Sequence, residues 1–191
     1  MNQTIIKNTL KAIAILESII SPEWEYRYFS YNSKWSDAEE MASMRDGAGE
    51  GWFLWIKDTI MAWKYFNHEL GVEKDSASII KQFPVEFNSF IHEPAFSIKE
   101  STCLWYFKEQ KWCKFGIDNK LIEEVTQTFT WVPEDYKKWA DTYYEKDLDI
   151  DAISSVFKHQ MNEQIIKKLN PDLSLEMLQN DIKEIGFQYE S

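Results

Sequence analysis

Between Gly51 and Phe66 the chain reads GWFLWIKDTIMAWKYF, two aromatic-rich runs parted by Lys57 and Asp58. Short runs of Trp, Phe, Tyr and Ile joined by a polar step pair as a β-hairpin, because these side chains fit a pleated, half-buried surface. Two more runs follow at about 101–107 and 112–117, joined by KEQK. Upstream, EWEYRYFSY alternates, with Trp24, Tyr26 and Tyr28 on one side and Glu25 and Arg27 on the other, and is read as a further strand. The intervening SDAEEMASM is read as a short helical or irregular stretch that Ser36 caps.

Helical patterns lie at the ends. Ile6, Leu10, Ile13 and Ile20 recur at helical spacing in the first segment, which Ser21-Pro22 stops. PVEFNSFIHEPAF is read as a short helix closing before Pro94. From Pro133 onward the pattern is helical to Gly186, which sits where a C′ glycine ends a helix. Strands are consecutive and nothing alternates as βαβα. The expected class is α+β: an antiparallel sheet of about five strands with an N-terminal helix and a C-terminal helical cluster. At 191 residues this is one domain, 1–191, with room for a real core.

Composition narrows the function. Aromatic residues make up 16% of the chain and include nine Trp, which excludes a disordered chain and leaves rings to line a groove as well as fill a core. The net charge is −11, and no basic stripe offsets it, so nucleic acid is not an expected partner. From Pro133 to Ser191 there are 13 acids against 7 lysines, a field that attracts a basic protein. Lys7, Lys11 and Glu17 interrupt the apolar N-terminal run and no stretch reaches bilayer length, so no membrane association and a cytoplasmic location are expected. If the hairpin CLWYFKEQKWC turns at Glu109-Gln110, Cys113 faces Tyr106 on the side opposite Cys103. That arrangement argues against a disulfide.

Three constellations invite chemistry. In SMRDGAGEGWFLWI the glycines precede a strand and no Lys-Ser/Thr follows, unlike a nucleotide loop, whose glycines open a helix. A bend is expected, with Asp46 accepting amide bonds from the glycines and Arg45 pairing with a nearby acid; a ligand- or partner-contacting Arg45 is the alternative. The steps His68-Glu69 and His92-Glu93 lack the HExxH spacing, so a metal site would need His68, His92 and a third ligand such as Asp46 to converge. His68 as a hydrogen-bonded residue at a strand end is the simpler reading. No GxSxG is present and the paired acids Glu39-Glu40 and Glu123-Glu124 read as solvated faces; no cofactor is implied. In WVPEDYKKWADTYYEKD, Trp131, Tyr136, Trp139, Tyr143 and Tyr144 fall at helical spacing with acids interleaved. The apolar face is expected on the sheet, and the face carrying Trp139 and Tyr143 is the candidate interface for a basic partner.

SYNSKW, EEMASMRDGAGEGWFLWI, the hairpin closing in HE, EFNSFIHEPAF, WADTYYE and LNPDLSL with DIKEIGF together resemble a family of uncharacterised bacterial proteins sharing an MRDGxG motif, here Met44 to Gly49. The resemblance implies a compact domain and singles out Arg45, Asp46, His68 and Glu69, with Tyr65 standing where members carry glycine. The leading expectation is a non-enzymatic binding protein, of an immunity type that neutralises a basic toxin. The alternative is a small-molecule or metal site where Arg45-Asp46 meets His68-Glu69, with enzyme activity there left open. A third reading is a homodimer through a strand edge or the C-terminal helices.

Overall fold

A computed structural model describes residues 2–117 and 120–190. It is α+β: helix α1 (Gln3–Ile20), strands β1 (Phe29–Ser36), β2 (Glu39–Arg45), β3 (Gly51–Lys57) and β4 (Ile60–Phe66), short helices α2 (Ser76–Ile80) and α3 (Asn88–His92), strands β5 (Cys103–Lys108) and β6 (Lys111–Gly116), then helices α4 (Lys120–Gln127), α5 (Pro133–Tyr143), α6 (Ile150–Phe157), α7 (Glu163–Leu169) and α8 (Gln179–Ile185). The six strands form one sheet in the order of the chain, β1 to β6. The chain divides into two compact units: a helical one, 1–33 with 123–191, and a sheet one, 34–122.

The sheet has one strand more than expected, and two local readings change. EEMASMR is strand β2, paired with β3 from Glu39↔Lys57 to Arg45↔Gly51. Glu, Met and Ala favour helices, but pairing against the aromatic β3 outweighs that local preference. Trp24 to Tyr26 form a 3-10 turn rather than a strand, and Trp24 and Tyr26 are exposed. Arg27 folds this turn back on itself: its Nε donates to the Ser21 carbonyl at 3.0 Å, its Nη2 to the Pro22 carbonyl at 2.6 Å, and it pairs with Asp181. The strand therefore begins only at Phe29.

In the sheet unit, strand register puts Met41, Trp55 and Ala62 in one row of side chains, with Leu104 in the row beside it. These pack with Ile79, Phe83, Phe87, Phe90 and Phe96 into a single core under α2 and α3. Glu39 closes the far end of this face. Burial pushes its carboxyl up, but hydrogen bonds from Trp55 Nε1, Ser36, Ser89 and Lys57 outweigh burial and hold it at about 2. The β5–β6 turn falls at Glu109 and Gln110, both left-handed (φ 53° and 63°), as a two-residue hairpin requires. Tyr106 lies opposite Cys113, and both cysteines are free.

In the helical unit, α1 is buried on every side from Ala12 to Ile20, more than its amphipathic pattern implies. It touches α6, α7, α8 and the turn at Thr128–Thr130, while α5 packs on α6. No helix among the described residues is long and apolar enough to cross a membrane.

Candidate functional site

The β2–β3 connection is a bend. Gly47 and Gly49 take φ of 76° and 105°, which side chains rarely adopt. Asp46 Oδ1 accepts from the amides of Ala48 and Glu50, both at 2.8 Å. The carboxylate thus serves the neighbours of the glycines rather than the glycines themselves. Register places Arg45, Gly51 and Phe66 side by side across β2, β3 and β4, so this loop and the Asn67-His68-Glu69 segment share one end of the sheet. Glu50 joins them: its carboxylate takes Asn67 Nδ2 at 2.7 Å and the Tyr65 hydroxyl at 3.3 Å, and lies 3.4 Å from His68 Nδ1. Buried Asn67 in turn accepts the amides of Glu69 and Leu70 at 3.0 and 2.9 Å. Burial, with the Glu50 charge added, pushes the Tyr65 hydroxyl up to about 12, so it is a donor at any ordinary pH.

This end of the sheet thus gathers Asp46 and His68 around Glu50 and Asn67, two residues that sequence reasoning missed. Arg45 is half-buried, and desolvation lowers its pKa. Glu69 is exposed and its amide, not its carboxylate, enters the network. His92 is occupied elsewhere, its Nδ1 2.8 Å from the Asn88 carbonyl. Among the described residues no group of three or more His, Cys, Asp and Glu is gathered closely enough to hold a metal ion.

The second region is α5. Its first turn is capped by Asp135, whose Oδ2 accepts the Val132 amide at 3.1 Å. Asp135, Trp139 and Tyr143 follow at four-residue steps and so form a column along one face. The rings of Trp139 and Tyr143 stack nearly parallel, 18° apart with centroids at 5.1 Å, and Trp131 adds a third ring 5.8 Å from Trp139. With Lys138 and Thr142 these residues line a groove of about 450 Å³. Tyr143 is 43% exposed, so the column is presented outward and not sealed in the core.

What holds this column is Glu17, fully buried on α1. Its Oε1 accepts the Tyr136 hydroxyl at 2.9 Å; its Oε2 accepts the Tyr144 hydroxyl at 2.8 Å and the amides of Tyr28 and Phe29 at 2.9 and 3.2 Å. Burial raises the Glu17 pKa, and these four donors oppose the rise. Tyr28, Tyr136 and Tyr144 all carry rings against Trp139, at 4.9, 5.7 and 6.1 Å. The only sequence signal was an acid within an apolar helix, which reads as a break in the pattern rather than as a centre.

The chain matches no protein-family model, no curated protein and no solved structure.

Proposed function

We propose that this chain is a non-enzymatic binding protein that takes a basic protein partner on the aromatic face of α5. The groove of Trp131, Trp139 and Tyr143 carries the reading, because rings stacked outward and propped from beneath are what a protein contact uses as anchors. The charge of −11 supports it by drawing cationic partners toward the chain. In the cell this reading corresponds to a cytoplasmic, immunity-type protein that neutralises a basic toxin by covering it with acidic and aromatic surface. The small-molecule or metal alternative at Arg45, Asp46, His68 and Glu69 has less support, since Asp46 and Glu50 already serve groups of their own loop and strand.

The test is the affinity of the full chain for a short fluorescent lysine-glycine peptide, read by anisotropy at about 50 and about 300 mM salt. Binding should fall about tenfold or more across that range and should weaken in Tyr143→Ala. Salt-independent binding, or full affinity in Tyr143→Ala, overturns the reading.

A further inference from the structure

We propose that the α5 groove is a receptor for an arginine side chain, with the aromatic lining of Trp131, Trp139 and Tyr143 taking the guanidinium and Asp135 pairing with its N–H edge. This rests on the binding reading above and names the chemistry that the partner presents.

The first support is the geometry of the column. Asp135, Trp139 and Tyr143 rise along one face of α5 in consecutive turns, so a carboxylate stands at the end of an aromatic shelf. Trp131 and Trp139 lie 5.8 Å apart. That spacing leaves no slot for a group between them, so a ligand lies across the shelf rather than inside a cage. A guanidinium suits this shape because it is planar, is always charged, and can stack on a ring while its N–H edge points at a carboxylate. An ammonium is a compact point charge with no face to stack and no parallel pair of donors.

The second support is the state of Asp135. The Val132 amide orients its carboxylate through Oδ2, and no other bond to it is made among the described residues. Lys138 lines the same groove without forming an ion pair to it. By contrast Lys137, the neighbour on the other side, is held by Asp141, Asp147 and the Leu148 carbonyl at 2.6–2.7 Å. Asp135 therefore offers an oriented oxygen beside a groove of half-buried Trp131 and Trp139 and exposed Tyr143.

The third support concerns the source of the arginine. The chain has two, Arg27 and Arg45. Arg27 is fixed by Ser21, Pro22 and Asp181, and Arg45 is half-buried at the sheet end, so a different chain is the natural donor.

The experiment compares two labelled peptides of equal length and charge, one arginine-glycine and one lysine-glycine, against the full chain by anisotropy at low salt. The arginine peptide should bind about tenfold more tightly. Asp135→Asn keeps the cap acceptor and should shrink the preference below about twofold, while Lys138→Gln should tighten both peptides. Equal affinity for the two peptides, or an undiminished preference in Asp135→Asn with the native far-ultraviolet spectrum, overturns the arginine assignment and leaves the basic-partner reading standing. Failure of both peptides to bind overturns the two together.

Discussion

The sheet unit and the helical unit organise their polar groups in opposite ways. At the sheet end, Asp46 bonds to residues two and four places along the chain, and Asn67 to residues two and three places along. These short-range bonds shape the turns, and the longer ones from Asn67, to Glu50 17 positions away and Thr102 35 away, tie the turn to the strands beside it. In the helical unit, Glu17 reaches Tyr136 and Tyr144 across 119 and 127 positions. That long-range carboxylate fixes the inner side of a helix whose outer side presents rings. Polar groups used up on their own neighbours describe a scaffold. Glu17 instead braces the inner side of the helix that carries the α5 groove, the surface proposed for contact.

The largest test of this contrast is Glu17→Ala. It leaves the buried Tyr136 hydroxyl, the half-buried Tyr144 hydroxyl and two amides without their acceptor, and should cost about 3–5 kcal/mol in urea unfolding. A loss below about 1 kcal/mol would mean that α5 is held some other way. Glu17→Gln should cost less and should also change the pH profile. Burial raises the folded pKa of Glu17 above the unfolded value, so its favourable contribution is complete below about pH 4.5 and fades as pH rises through the folded value. That fade should be missing from Glu17→Gln.

The sheet unit should respond to pH with the opposite sign. Glu39 is held at about 2, below its unfolded value, so it contributes about 3 kcal/mol above pH 4.5 or so, lost as pH falls toward 2. An acid-unfolding curve that Glu39→Gln leaves unchanged would break this part of the comparison. Asp46→Ala removes two amide bonds and should cost about 1–2 kcal/mol without altering peptide affinity. If affinity fell while stability held, the loop and not α5 would be the contact surface. The smallest effect belongs to His68→Ala: its pairing with Glu50 is exposed, and thermal unfolding should move by no more than about 0.5 kcal/mol.

Local rules made much of this architecture legible in the sequence. The β3–β4 hairpin, the turn at Glu109-Gln110 and the facing of Tyr106 and Cys113 follow from alternation and turn length, which depend on near neighbours alone. The glycine bend was legible for the same reason. β2 was not, because Glu39 to Met44 look helical until β3 is beside them, and its omission made five strands of six. The early start given to β1 came from an alternation that Arg27 breaks through contacts with Ser21, Pro22 and distant Asp181. Of the α5 column, Trp139 and Tyr143 stood out by type and spacing. Asp135 did not, since an acid in the first turn of a helix is so common. Glu17 and Glu50 were hidden, because their roles depend on what surrounds them in space.

The helical unit is interrupted in sequence: its first segment ends at residue 33 and its second begins at 123. During synthesis α1 therefore leaves the ribosome long before α6, α7 and α8, the helices it packs against. From the end of α1 at Ile20 to the start of α6 at Ile150 the chain runs about 130 residues, which at the usual pace of translation take roughly 7–26 s. Through that interval Ile6, Ile13, Ile15 and Leu16, all destined for full burial, stay uncovered by those helices. The strands meanwhile pair with sequence neighbours and need no later residue to close. The nascent chain thus carries an apolar helix, residues 3–20, that waits for its packing partners while the sheet forms behind it, which makes it a segment open to a chaperone through that interval.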